Sequence, residues 1–143
     1  MISQKAKYAF KALLILAARS GETVAIEDVA ADSGVPRKFL EHILLDLKGA
    51  GFIASRRGRA GGYIMARAAD SVTIGAVLRV IDGPVAPLPC LSQHHYRPCD
   101  DCGDEAACGV RRLFARAYGA MVQVLDETTL ADAGEGEALR ALI

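Results

Sequence analysis

With 143 residues, 52% of them apolar, the chain can bury one core of ordinary domain size. Seventeen Lys and Arg balance seventeen Asp and Glu, so no global positive field is available for coating nucleic acid unspecifically. No stretch approaches the ~20 apolar residues of a membrane span, which excludes a spanning helix.

Ser3 is placed to cap a helix over about 4–19. Its apolar residues Ala6, Tyr8, Ala9, Phe10, Leu13, Leu14, Leu16 and Ala17 spread over more than one face, so it is expected to be buried on two sides. Residues 12–18 behind Lys5, Lys7 and Lys11 imitate the apolar region of a signal peptide. The run is too short, lacks a small-x-small cleavage site and continues the helical pattern, so a cytoplasmic protein is expected.

After Gly21, Ile26, Val29 and Ala30 mark a short helix ended by Gly34, a residue suited to a left-handed stop. Pro36 then stands where a first helical residue belongs, and Leu40, Ile43, Leu44 and Leu47 follow at i, i+3, i+4, i+7. The polar face left over is Arg37, Lys38, Glu41, His42 and Asp46. Two short helices across a glycine-containing turn form a helix-turn-helix pattern, whose second helix enters the DNA major groove.

Residues 52–55, Phe-Ile-Ala-Ser, and 63–66, Tyr-Ile-Met-Ala, flank the basic glycine-rich turn Arg56-Arg57-Gly58-Arg59-Ala60-Gly61-Gly62. Strand, basic turn, strand describes a wing. The glycines lack the order of a phosphate loop and join strand to strand, so a nucleotide site is the weaker reading. Without side chains the turn can approach a DNA backbone, and an arginine at its tip can reach a narrow minor groove. The charge distribution agrees: Lys48, Arg56, Arg57, Arg59 and Arg67 fall between Asp46 and Asp70 with no acid among them, whereas Asp126, Glu127, Asp132, Glu135 and Glu137 gather late.

Thr73 caps a further helix in which Ile74, Val77, Leu78 and Ile81 share a face and Gly83 is the stop. Pro84, Pro87 and Pro89 open an aperiodic loop to about 108 that holds all four cysteines. From Val110, the pattern Val110, Leu113, Phe114, Ala117, Met121, Leu125 runs for about five turns. It reads either as a dimer seam or as a helix packed on its own domain. Thr129 and Asp132 outline a capping box for a last short helix before a fraying tail.

Cys90, Cys99, Cys102 and Cys108 fall within nineteen residues, with Cys99 and Cys102 as a C-x-x-C pair. Clustered thiols of a reducing compartment point to metal or redox chemistry rather than disulfides. Spacing leaves three options open: an iron–sulfur cluster, of 2Fe–2S or 4Fe–4S type, a zinc site in which His94 or His95 could join, or thiol switching with nothing bound. No nucleophile–base pair, H-E-x-x-H or phosphate loop is present, so an enzyme is not expected.

Lys7-Tyr8-Ala9, Phe39-Leu40-Glu41, Arg57-Gly58-x-x-Gly61-Gly62-Tyr63, the cysteine loop and Thr129-Leu130-Ala131-Asp132 together resemble the Rrf-two family of bacterial winged-helix regulators. That resemblance implies a mainly α fold with a small β-hairpin: a winged helix-turn-helix over 1–83, a sensor loop over 84–108, and a dimerisation helix and tail over 109–143. It implies a homodimer on double-stranded promoter DNA, acting as a repressor, with Pro36, Lys38, Glu41 and His42 facing bases or phosphates and Arg57 in the minor groove. Arg37, Arg56 and Arg59 join them as neighbouring basic contacts. Cys90, Cys102 and Cys108 match the family's three cluster ligands. The chain departs from two fourth ligands used in the family: Arg111 stands where one branch has a histidine, and Tyr8 where another has an acidic residue on the first helix. Cys99 is therefore the candidate fourth ligand. The alternatives are a zinc-stapled or thiol-switched regulator, and a module that regulates an enzyme by protein contact.

Overall fold

The computed structural model describes residues 2–134. The acids Glu135 and Glu137 and the tail expected to fray lie outside the described residues.

Helix α1, Gln4–Ala18, begins as expected, with the Ser3 hydroxyl accepting from the Ala6 N–H. Ala6, Ala9, Ala12, Leu13 and Leu16 are buried, and α1 packs against all three other core helices: α2 (Ile26–Ser33), α3 (Arg37–Gly49) and α4 (Ile74–Ile81). A helix with alanine on several faces lets neighbours approach from more than one side, which is why this apolar segment lies inside the domain. Gly34 ends α2 at φ +66°, the left-handed geometry that costs glycine least. In α3 the expected stripe Leu40, Ile43, Leu44 and Leu47 is buried to the last residue.

Pro36 differs from the expectation by one position. It caps α3 from outside at ψ 133°, and Arg37 is the first helical residue. Its carbonyl still accepts from Phe39 and Leu40, so the proline aims the helix without entering it.

Strands β1 (Ile53–Arg56) and β2 (Gly62–Met65) pair antiparallel, Ile53 opposite Met65 and Arg56 opposite Gly62. The turn is thus one residue shorter at each end than the sequence suggested: Arg56 and Gly62 belong to strands, and the turn runs 57–61. Val24, before α2, adds a third short rung, its N–H and C=O both bonded to Tyr63 at 2.8 Å. Glycine is required by this rung. A Cβ on Gly62 would stand 2.2 Å from the Val24 carbonyl oxygen, and one on Gly61 would stand 2.7 Å from the Gly58 oxygen. Gly61 and Gly62 are therefore explained by contacts within the protein, and Gly58 by its φ of +110°, before any DNA is considered.

Thr73 caps α4 through the Ala76 N–H, and Gly83 follows its end at φ +84°. Asp82, the last residue before Gly83, accepts from the Ser3 N–H and hydroxyl, tying the start of α1 to the end of α4. The loop beyond holds one short 3-10 turn, Pro89–Leu91. Helix α5, Gly109–Glu127, then runs nineteen residues. Its far end is anchored: Ile74 N–H reaches Thr128 O at 2.9 Å, Leu130 N–H reaches Val72 O at 3.0 Å, and Leu130 joins the core. After that, Asp132 accepts from the Thr129 N–H at 2.6 Å, one half of the expected capping box, at a 3-10 turn over Ala131–Gly134.

The apolar face of α5 is distributed otherwise than on α4. Tyr118 and Val122 are buried and Leu125 half-buried, one narrow strip facing α4, whereas Val110, Leu113, Phe114, Met121 and Val124 are exposed. Leu113 is 76% exposed. Most of the pattern legible in the sequence is thus unpaired within the chain. Among the described residues no helix is long and apolar enough to cross a membrane.

Candidate functional site

Two groups of residues singled out by the sequence occupy opposite parts of the molecule's chain order: the α3 face with the wing, and the thiol loop.

On α3, Pro36, Arg37, Lys38, Glu41 and His42 are all exposed, as a groove-reading face requires. They are not equally free. Arg37 bonds Glu41 through Nε at 3.1 Å and Glu27 through Nη1 at 2.5 Å, so its charge is matched twice over. Lys38 lies over the Phe39 ring, its Nζ 5.0 Å from the centroid. His42 lines a mainly apolar hollow of about 330 Å³ with Tyr8, Phe39 and Ile43, where the Tyr8 and Phe39 rings are 5.9 Å apart. In the wing, Arg56, Arg57 and Arg59 are exposed and form no salt bridge among the described residues. The wing thus carries three arginines within four residues that no carboxylate matches among the described residues.

Cys90, Cys99, Cys102 and Cys108 line one cavity of about 470 Å³. Three local devices hold them. Cys90 is buried on the Pro89–Leu91 turn. Cys99 and Cys102 bracket a turn closed by Cys102 N–H to Cys99 O at 3.2 Å. Cys108 is the N-cap of α5, its sulfur accepting from the Arg111 N–H at 3.4 Å. All four are free thiols. Partial enclosure lifts the Cys99 thiol above its ordinary range, and the Cys90 thiol beside it adds to the effect. Enclosure likewise raises Cys102, helped by nearby Cys108. The protonated form is thus favoured at Cys99 and Cys102.

Among the described residues, no three His, Cys, Asp or Glu side chains already converge on a point that would hold one metal ion. His94 and His95 are absent from the wall of the thiol cavity; His95 instead lines a neighbouring hollow with Pro84, Pro89, Ser92 and Tyr96. The mixed thiol–histidine site left open by the sequence gains nothing from this placement.

Sequence reasoning passed over Arg111 after excluding it as a ligand. It lines the same cavity and stands 3.9 Å from Glu105, whose other oxygen accepts from the Tyr96 hydroxyl at 2.6 Å. That bond raises the Tyr96 phenol above its ordinary value. The available signal was the spacing of Arg111 three residues after Cys108, one helical turn from the last thiol.

A family model described as Rrf2, iron-dependent transcriptional regulator, matches residues 2–135. The chain is 54% identical over 136 residues to a Rhodobacter capsulatus protein named as an rrf2-like transcriptional regulator of helix-turn-helix type, covering 92% of this chain and 91% of that one. It is 32% identical to the transcriptional regulator CymR of Bacillus subtilis, over 92% and 87% of the two chains. The solved structure of the B. subtilis CymR, titled the global cysteine regulator, matches with a TM-score of 0.77 at 30% identity, over 94% of this chain and 96% of that one. T. potens IscR matches with a TM-score of 0.73 at 25% identity, over 96% and 88%.

Proposed function

The chain belongs to the Rrf2 family of transcriptional regulators, which are not enzymes, and on that premise we propose that it is a DNA-binding homodimeric repressor switched by an iron–sulfur cluster on Cys90, Cys99, Cys102 and Cys108. The observation that carries this reading is the single cavity whose wall contains all four thiols and the first turn of α5. Four sulfur donors suit either zinc or a cluster. Among the described residues no three of these donors already converge on one point, so either group would have to draw the thiols together. When bound, a cluster supplies a centre whose redox state or loss alters local charge and ligation.

The remaining work falls to the chain itself. Residues 1–83 carry the reading surface: Pro36, Arg37, Lys38, Glu41 and His42 toward the major groove, Arg56, Arg57 and Arg59 toward backbone and minor groove. Residues 84–108 form the sensing loop, and residues from 109 onward the dimer helix and tail. The exposed stripe Val110, Leu113, Phe114, Met121 and Val124 is the seam that a second copy covers. The far end of α5 is fixed to the core, while its first two turns contain no buried residue and meet the Pro89–Leu91 turn. Drawing the thiols together, or releasing them, changes the support under that free end. It thereby changes the tilt between two reading heads.

The test is protein isolated without oxygen. Iron with acid-labile sulfide, a spectrum altered by Cys99→Ala, and promoter DNA binding that changes on cluster loss are expected. Zinc in place of iron transfers the reading to a zinc-stapled regulator. A full cluster with unchanged spectrum in Cys99→Ala removes Cys99 from the ligand set.

A further inference from the structure

Arg111 carries a donor for which the described residues provide no acceptor. Its Nε atom is buried and has no hydrogen-bond partner among the described residues, although the side chain as a whole is 37% exposed. Glu105 Oε2 lies 3.9 Å from it, close enough for ionic attraction and too far for a hydrogen bond. That carboxylate is engaged elsewhere, its Oε1 accepting from Tyr96. A buried N–H without a partner loses its water and gains nothing in exchange, so such groups in folded proteins call for an explanation.

The explanation lies in what else lines the same wall. Arg111 shares the cavity with the four cysteines, and its main-chain N–H already donates to Cys108 Sγ. The first turn of α5 thus brings one main-chain donor and one side-chain donor to a sulfur-rich hollow. Arginine keeps its charge at any pH the protein meets. Glu105 tethers the guanidinium without consuming its Nε–H.

We propose that Arg111 donates this Nε–H to a sulfur of the thiolate-ligated group held in the cavity and so sets its reduction potential. The proposal rests on the cluster reading above and deepens it. An iron–sulfur group bound by four thiolates is negatively charged. Taking up one electron from a one-electron reductant, with no bond formed or broken, makes it more so. A fixed cation and a hydrogen bond to sulfur stabilise the reduced form more than the oxidised form, and the potential rises. Arg111 is thus a positioning and tuning residue that takes no part as a ligand.

The experiment compares the full-length wild-type chain with R111K and R111M, all isolated without oxygen. Iron and sulfide are assayed, folding is checked by circular dichroism, and the midpoint potential is read by EPR during titration with dithionite. At equal iron content, R111M is expected to shift to a more negative potential. R111K, which keeps a charge but moves the donor, is expected to shift less. A purely structural role would lower the unfolding temperature and leave the potential in place. An unchanged potential in R111M overturns the inference while leaving the cluster intact as a reading. If R111M fails to fold or loses its iron, R111K decides in the same way. Folded variants that both lose the cluster assign Arg111 to retention and overturn the tuning role. Wild-type protein without iron and sulfide overturns the cluster reading and this inference with it.

Discussion

Arg79 on α4 meets Asp126 on α5 at two points, Nη1 to Oδ1 at 2.6 Å and Nη2 to Oδ2 at 3.0 Å. The forked geometry matches guanidinium to carboxylate and fixes the rotation of α5 about its own axis. Gly75 lies beneath the pair: a Cβ there would sit 2.3 Å from Asp126 Oδ1 and 3.0 Å from the Leu125 carbonyl oxygen. The two helices come this close because position 75 has no side chain.

Gly75→Ala is therefore expected to destabilise the fold. Alanine gains up to about 1 kcal/mol in helix propensity, but overpacking a fixed contact costs about 1–3 kcal/mol. The steric term wins because the Leu125 oxygen is backbone and Asp126 could yield only by leaving Arg79. A urea midpoint equal to that of the parent would show that α4 and α5 are spaced more loosely than described.

Arg79 holds the Asp126 carboxyl below its usual range, chiefly through the side-chain hydrogen bond. A lowered folded-state value means that the contribution is complete above the ordinary aspartate value, about 3.9, and is lost as pH falls through the lowered one. Asp126→Asn should cost at most about 1 kcal/mol at neutral pH, since the pair is partly exposed. The gap between variant and parent should close in strong acid. A gap that persists at pH 2 would contradict the assignment.

For the reading surface, Arg57→Ala is expected to weaken promoter DNA binding by about 1–3 kcal/mol and to flatten its salt dependence. Arg37→Ala should cost less, because Arg37 is already matched by Glu27 and Glu41. Binding isotherms at several salt concentrations compare the two. Equal losses would mean that Arg37 abandons both carboxylates on DNA.

Along α5, on the dimer reading, Leu113→Glu should yield monomers with a folded core, since residue 113 is exposed within the chain. Tyr118→Ala should lower stability by about 3–5 kcal/mol, the range for removing a buried aromatic side chain. Sedimentation and thermal unfolding separate the outcomes. A Leu113→Glu variant that remains dimeric would move the seam elsewhere.

Local chemistry made much of this fold legible in advance. Ser3, Gly34, Thr73 and Gly83 act where capping and left-handed geometry require, and the Leu40–Leu47 stripe is buried as its period demands. What escaped the sequence depends on contacts between distant segments. Gly61 and Gly62 read as concessions to DNA, yet the Val24 rung and the turn itself already require them. Tyr118 and Val122 were outside the apolar pattern of α5, because two residues on a narrow strip leave little periodic trace. Arg37 reads as a basic DNA contact on the polar face of its helix, and only the placement of Glu27, ten residues earlier, shows its charge matched from another element. The four thiols were recognisable as a group. Their common cavity was not, since an aperiodic loop carries no pattern from which its path can be read.

The Val24–Tyr63 rung has a consequence for how any signal can act. Because it fastens the hairpin to the segment leading into α2, and α3 packs against both α2 and β1, the wing and the candidate reading helix are held together like a stamp of fixed relief. A stamp cannot choose a different text by flexing. On the dimer reading, only the distance and angle between two such stamps remain adjustable, so a responsive operator should be sensitive to half-site spacing and indifferent, under the signal, to the letters within each half.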